Sequence, residues 1–349
     1  MDPHELIERE VIQEDIYENL FKHQITGILW LYENYMLQKG CILADDMGLG
    51  KTVQISAFLG SLYLGKKFNQ AVICAPATLM EYWRSEIKRW TPGLLLHVIV
   101  LDQALKKRQE IIQQNKYTKN LVYITTPNTI FKHVDDFAQF AALDLLVVDE
   151  GHKAKNVNTR IRKGIKDLYV KRQKIILTGT PVQNNLIEFF SLMDIVEDGI
   201  LGTQSEFQSN YRNVIENGLK KRALYKNIMR AKEAIAKLKG IFTPHFLRRT
   251  KREIFDVKSS ELSEQPLDRH QLPLKTDLVV WIPLNEIQKT IYEMILDEQS
   301  VEAAVRQQSK KHIFVVIIAL KHLCVHPFIL LHSFCKSSLP FVIKVLSQQ

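Results

Sequence analysis

The sequence predicts an α/β protein: a parallel sheet with helices on both faces, then a helical insertion, then an incomplete second α/β lobe. Three observations predict it. Between about residues 40 and 180, short apolar or β-branched runs alternate with longer amphipathic stretches, the pattern of strand, helix and strand again. Several of those runs are apolar at nearly every position, as strands covered on both faces must be. The segments richest in glycine, in paired acids and in small hydroxyl residues each follow such a run, where a parallel sheet gathers its functional loops.

Taken in order, the predicted strands are 40–44, 70–75, 95–101, 121–125, 143–149 and 174–178. After the first, residues 52–64 place Val53, Ile55, Ala57, Phe58 and Leu62 near helical spacing, and residues 78–90 do the same with Leu79, Tyr82, Trp83, Ile87 and Trp90. From about 203 to 239 the period becomes wholly helical and the charge basic, with Lys220, Lys221, Arg222, Lys226, Arg230, Lys232, Lys237 and Lys239. Such a charge run reads first as a solvated helix face, with phosphate contact as the sharper alternative. Residues 256–271, holding Ser259, Ser260, Ser263 and Pro266, read as a linker. Beyond it, 277–282 reads as a strand, and 285–296 and 308–323 as helices. The resulting division is an N-terminal extension (1–19), a first lobe (20–200), the insertion (201–255), the linker (256–271) and the start of a second lobe (272–349).

Composition narrows the function classes. The 349 residues are 46% hydrophobic, enough for more than one core, and 47 Lys and Arg against 38 Asp and Glu give a net charge of +9, which suits a polyanionic partner. Cys41, Cys74, Cys324 and Cys335 are scattered without metal-ligand spacing, which indicates neither a zinc site nor a disulfide framework and fits a reducing compartment. The acidic N-terminus is unlike a signal peptide, and the most apolar stretch, 313–320, is too short to cross a bilayer, so no membrane association is expected.

Gly48-Leu49-Gly50-Lys51-Thr52 follows an apolar run and opens an amphipathic helix, the order a phosphate cradle needs. Gly48 and Gly50 allow backbone N–H groups to approach phosphates, the helix N-terminus adds its positive end, Lys51 reaches the β- and γ-phosphates, and Thr52 holds Mg²⁺. Asp45 stands where the generic motif has its first glycine. About 100 residues on, an apolar run ends in Asp149-Glu150-Gly151-His152; there Asp149 is placed to coordinate Mg²⁺ and Glu150 to position and deprotonate water. A third element, Thr178-Gly179-Thr180-Pro181-Val182-Gln183, again follows a strand and carries small polar groups suited to sensing the γ-phosphate. Gln24, on spacing alone, passes for an exposed helical residue.

In order and over roughly residues 20–330, these segments resemble the Snf2 family of superfamily 2 helicase-like ATPases. The segment from Leu20 to Gln24, with Gly27, Trp30 and Leu31, is similar to the family's adenine-reading motif, which implies that Gln24 reads the base. Asp45, Met47, Gly48, Leu49, Gly50, Lys51 and Thr52 all match the family's form of the phosphate loop. Asp149 to His152 resembles its D-E-A-H motif, with Gly151 in place of alanine. The segment 177–186 matches motif III, and Phe246-Leu247-Arg248-Arg249-Thr250-Lys251 matches the signature of the family's helical insertion.

Ile124-Thr125-Thr126 resembles a motif that contacts the DNA backbone, with Pro127 where tyrosine is usual, which makes Thr125 the expected phosphate contact. The resemblance implies a RecA-like first lobe, ATP and Mg²⁺ as cofactors, double-stranded DNA and chromatin as partners, and a nuclear protein of the excision-repair branch. It implies Glu150, Asp149, Lys51 and His152 in catalysis, and Thr125, Thr178, Thr180, Arg248 and Arg249 in coupling to DNA, with Arg248 and Arg249 alternatively packing against core acids. The match fades after Pro327, and the family's arginine finger has no counterpart before Gln349. The chain by itself is therefore expected to bind ATP better than it hydrolyses it, or to be a regulatory fragment without motor activity.

Overall fold

The computed structural model describes residues 11–138, 143–151, 160–179, 186–255, 276, 278–297 and 310–333. The chain forms two compact units, Met1–Gln271 and Leu272–Gln349. The first holds a seven-stranded sheet of β1 (Cys41–Leu43), β2 (Gln70–Cys74), β3 (His97–Val100), β4 (Leu121–Thr125), β5 (Leu143–Val148), β6 (Gln173–Leu177) and β7 (Phe246–Leu247). Their order is β3-β4-β2-β5-β6-β1-β7, and every neighbouring pair is parallel. This order sets the turn after β1 beside those after β6 and β7, with the end of β5 one strand further on.

Alternation along each strand builds two cores. Ala71 and Ile73 of β2, Val122 and Ile124 of β4 and Leu145 and Val147 of β5 join one cluster. Against it lie Ile28 and Leu31 of α1 (Lys22–Met36), Phe58 and Leu62 of α2 (Lys51–Leu64) and Trp83 and Ile87 of α3 (Met80–Trp90). Val72, Tyr123, Leu146 and Val148 face the other way. They meet Ile112 of α4 (Leu105–Gln114), Ile165 of α5 (Arg160–Asp167), Met193 of α6 (Leu186–Val196) and Leu238 of α7 (Tyr225–Phe242). Each of the valine, leucine, isoleucine, phenylalanine and methionine side chains contributes roughly 1.5–3 kcal/mol when fully buried. Sequence alternation and structure agree here: the sheet is parallel and covered on both faces.

The α7 helix turns Ala231, Ala234 and Leu238 inward at three- and four-residue spacing. Its lysines and Arg230 stay exposed. At its end the chain re-enters the sheet as β7 beside β1, a strand of two residues that periodicity does not show.

In the second unit α8 (Glu286–Asp297) and α9 (Lys310–Val325) pack through Ile291, Ile295, Ala319 and Leu323, with Leu330 closing the cluster. The Gln288 side chain donates to the Leu323 carbonyl at 3.0 Å. Residues 278–282 correct the expectation of a strand: they carry no ladder, and Leu278 and Trp281 are 81% and 90% exposed. A β-branched run favours extended backbone, but a strand also needs a hydrogen-bonding neighbour, and among the described residues none pairs with it. The described part of this unit is helical. The expected linker lies outside the described residues. Among those described, no helix is long and apolar enough to cross a membrane.

Candidate nucleotide site

Gly48 (φ +89°) and Gly50 (φ +81°) lie in the left-handed region, so the turn from β1 into α2 needs residues without a Cβ. Gly50 caps α2, and a Cβ on it would sit 2.2 Å from the Gln24 side-chain nitrogen. The Leu49 carbonyl is held from the same direction, accepting from Gln24 Nε2 at 3.4 Å and facing His23 Nε2 at 3.1 Å. Gln24 is thus buried rather than exposed, its Oε1 accepting the Phe21 N–H at the start of α1. Burial holds the His23 imidazole below its ordinary pKa.

Lys51, the first residue of α2, donates Nζ to the carbonyls of Asp45 (2.6 Å) and Asp46 (3.3 Å). Burial lowers its pKa, and the carboxylates of Asp45, Asp149, Glu150 and Asp46 oppose that shift, so the ammonium lies within the field of the acidic pair after β5. The Asp149 backbone N–H donates to Cys74 across to β2. Its carboxylate accepts from Trp83 Nε1 at 2.9 Å and from the Glu150 N–H at 2.8 Å. Burial raises the Asp149 pKa, against both hydrogen bonds and the Lys51 charge. Glu150 has φ +52°, rare for a residue with a side chain, where the chain turns off the sheet. A methyl group on Gly151 would meet Ile176 at 2.2 Å, which explains glycine in place of alanine.

Asp45 is fully buried. Its carboxylate accepts from Arg249 N–H (3.1 Å), Nε (3.0 Å) and Nη2 (2.5 Å) and from Gln54 Nε2 (3.1 Å). The same guanidinium donates to Gln54 Oε1 and to the His23 carbonyl. Backbone bonds from Ala44 to Leu247 and from Asp46 to Arg249 continue the β1–β7 pairing into this turn. The Asp45 side chain is thus a buried partner of Arg249, and of the two readings left open for the arginines Arg249 follows the packing one, against a core acid, while Arg248 is exposed.

The expectation for Thr125 is corrected. It is the last residue of β4, wholly buried, and its hydroxyl has no hydrogen-bond partner among the described residues, so it offers nothing to a surface phosphate. Thr126 instead caps the short helix Pro127–Lys132, whose first position suits the proline that replaced tyrosine. Thr178 is buried at the end of β6 with its N–H on the Leu43 carbonyl. A Cβ on Gly179 would lie 2.6 Å from Met47 and 3.6 Å from Lys51 Nζ, so this turn touches the phosphate loop. Met47 itself is 65% exposed, and Thr52 is half-buried. His152 and Thr180 lie outside the described residues.

A cavity of about 420 Å³ opens beside Gln24, lined by Ile16, Asn19, Phe21, Val53, Arg89 and Trp90. Two positive-φ glycines, a helix N-terminus, a lysine and a carboxylate with acceptor capacity left on each oxygen fit a magnesium nucleotide. Among the described residues no group of three or more His, Cys, Asp or Glu forms a metal cage. A Mg²⁺ held by Asp149 and the Thr52 hydroxyl would take its remaining ligands from phosphate and water, its usual habit.

The model of the SNF2-related domain matches residues 23–329. The chain is 32% identical over 344 residues to the mouse (Mus musculus) DNA excision repair protein ERCC-6-like, covering 93% of this chain and 27% of that protein. It is also 32% identical over 325 residues to protein CHROMATIN REMODELING 24 of Arabidopsis thaliana, covering 89% of this chain and 28% of that one. The chain therefore spans about a quarter of the length of these relatives. Among solved structures, the Sulfolobus solfataricus SWI2/SNF2 ATPase core in complex with dsDNA is similar at a TM-score of 0.57 and 26% identity, covering 97% of this chain and 64% of that one.

Proposed function

The chain belongs to the SNF2-related domain family, and from that membership we propose that it supplies the ATP-binding part of a DNA-dependent ATPase that moves on double-stranded DNA. One observation carries the reading: the glycine loop after β1, the threonine turn after β6 and the acid pair after β5 stand at the same end of three successive strands. Similarity to an ATPase core solved with dsDNA supports the DNA partner, and relatives named for excision repair and chromatin remodelling support a nuclear role in repair or chromosome maintenance.

In this reading the base enters the cavity beside Gln24, between Phe21 and Trp90. The phosphates lie over Gly48, Gly50 and the N-terminus of α2, where free N–H groups meet negative charge. Lys51 leaves its loop carbonyls for the β- and γ-phosphates. Thr52 and Asp149 hold Mg²⁺, which screens phosphate charge when bound. Glu150 orients the attacking water and takes its proton. Gly179, in contact with Met47 of the phosphate loop, connects loss of the γ-phosphate to the turn after β6.

ATP hydrolysis with and without duplex DNA, beside mant-ATP binding, tests this. Lys51→Ala is expected to abolish tight nucleotide binding, and Glu150→Gln to leave binding intact while stopping turnover. Nucleotide binding indifferent to Lys51, or a turnover in a longer chain that ignores added DNA, sinks the reading. Binding without DNA-stimulated turnover in the 349-residue chain places the missing catalytic groups elsewhere in the motor.

A further inference from the structure

We propose that Trp83 is a positioning residue for the divalent cation, holding the Asp149 carboxylate in the orientation that receives Mg²⁺; this rests on Asp149 being the metal carboxylate. Trp83 is fully buried in the core beneath α3, and its only polar atom donates to Asp149 Oδ2 at 2.9 Å. Asp149 Oδ1 accepts from the Glu150 N–H at 2.8 Å. A carboxylate turns easily about its terminal torsion, which is broad and two-fold. Two donors on two different oxygens remove that freedom. Each oxygen keeps one lone-pair direction for a metal ion or a metal-bound water.

The nature of the donors matters as much as their number. An indole N–H is neutral and donor-only, so it fixes the carboxylate without cancelling its charge and without competing for a proton. Asp45 shows the opposite arrangement, with an arginine closing the carboxylate against further cations. The backbone adds to the clamp: the Asp149 N–H is bound to Cys74 at the end of β2, and α3 follows that same strand. The indole and the carboxylate are therefore referenced to one rigid element. Groups that orient a metal ligand without touching the metal typically change metal affinity 10- to 100-fold when removed.

Trp83→Phe keeps the ring and removes the N–H. The experiment is a Mg²⁺ titration of mant-ATP binding, with the same affinity measured in EDTA and folding checked by thermal melting. The half-saturating Mg²⁺ concentration is expected to rise about tenfold or more, with the EDTA affinity unchanged. An unchanged Mg²⁺ requirement in a folded variant overturns the proposal, and so does an equal loss with and without Mg²⁺, which a merely structural tryptophan gives. Asp149→Asn separates the two layers: if it retains the wild-type Mg²⁺ dependence, the assignment of Asp149 itself fails.

Should Trp83→Phe melt below the assay temperature, fluorotryptophan-labelled wild-type protein carries the test. The Trp83 fluorine resonance, assigned by single replacement of Trp30, Trp90 and Trp281, is expected to shift when Mg²⁺ is added to the nucleotide complex and to stay still in Asp149→Asn. A resonance that ignores Mg²⁺ in the wild type overturns it.

Discussion

Asp45 follows β1 and Asp149 follows β5, at the same end of one sheet with β6 between them, yet their carboxylates have different company. Asp45 is closed by a guanidinium and an amide, while Asp149 is held by an indole and a peptide N–H, both neutral. The first aspartate is a fastener. It joins α1, the phosphate turn, α2 and the strand that returns from the helical insertion. Both charges act on Lys51, but the second has no cation hydrogen-bonded to it, which leaves it able to take one. Position at the end of a parallel strand therefore does not by itself make a carboxylate functional; the charge of its hydrogen-bond donors decides.

The sharpest way to break this comparison is Arg249→Ala. Removing one partner of a buried pair leaves Asp45 charged and uncompensated, which costs about 3–5 kcal/mol, so chemical denaturation should show a loss of that size together with weakened nucleotide binding. A loss below about 1 kcal/mol would mean that Asp45 can reach water or take a proton at little cost, and would remove its role as a fastener. Gly27→Ala tests the same knot sterically. A Cβ there would lie 1.9 Å from Gln54 Oε1 and 2.8 Å from Arg249 Nη2. Overpacking of this kind costs about 1–3 kcal/mol, and the melting temperature should fall while the Mg²⁺ requirement for nucleotide stays put.

Asp149→Asn should behave in the opposite sense. Because its donors are neutral, amide for carboxylate strands no cation, but the new amino group faces one of the two N–H donors, so stability should fall by about 1–3 kcal/mol, less than at Arg249, while Mg²⁺-dependent binding of nucleotide is lost. A large destabilisation with the Mg²⁺ response intact would make Asp149 the structural member of the pair.

Much of this was legible in the residues, and the rest was hidden for identifiable reasons. Strand runs such as Leu145-Leu146-Val147-Val148 declare themselves because both faces are buried, so the parallel sheet is readable from apolarity alone. The glycines of the phosphate turn are readable because positive φ demands them. Asp45 is visible as a departure from the generic loop, but its partner is 204 residues away and no local pattern connects them. The β7 strand is too short to show a period, since its backbone pairing with β1 is what makes it a strand. Trp83 reads as one more apolar position on α3, because helical spacing reports burial and not where an N–H points. Thr125 is a different case: its expected phosphate contact came from a resemblance in three residues, whereas the predicted strand 121–125 already included it and the ladder does run through it.

Arg248 gives the smallest expected effect and the finest test, because it differs from Arg249 only by one step along the chain. Successive residues leaving a strand point to opposite sides, and here one guanidinium is buried on Asp45 while its neighbour lies exposed near Glu253. Arg248→Ala should therefore change stability by no more than about 0.5 kcal/mol and leave mant-ATP affinity as it was. If Arg248 meets a DNA phosphate, its removal should lower the slope of log affinity against log salt by about 0.9 in a duplex-binding titration, with no change at the nucleotide. Should Arg248→Ala instead weaken nucleotide binding as Arg249→Ala does, the segment after β7 acts as a unit, and the division between a fastening arginine and a free one disappears.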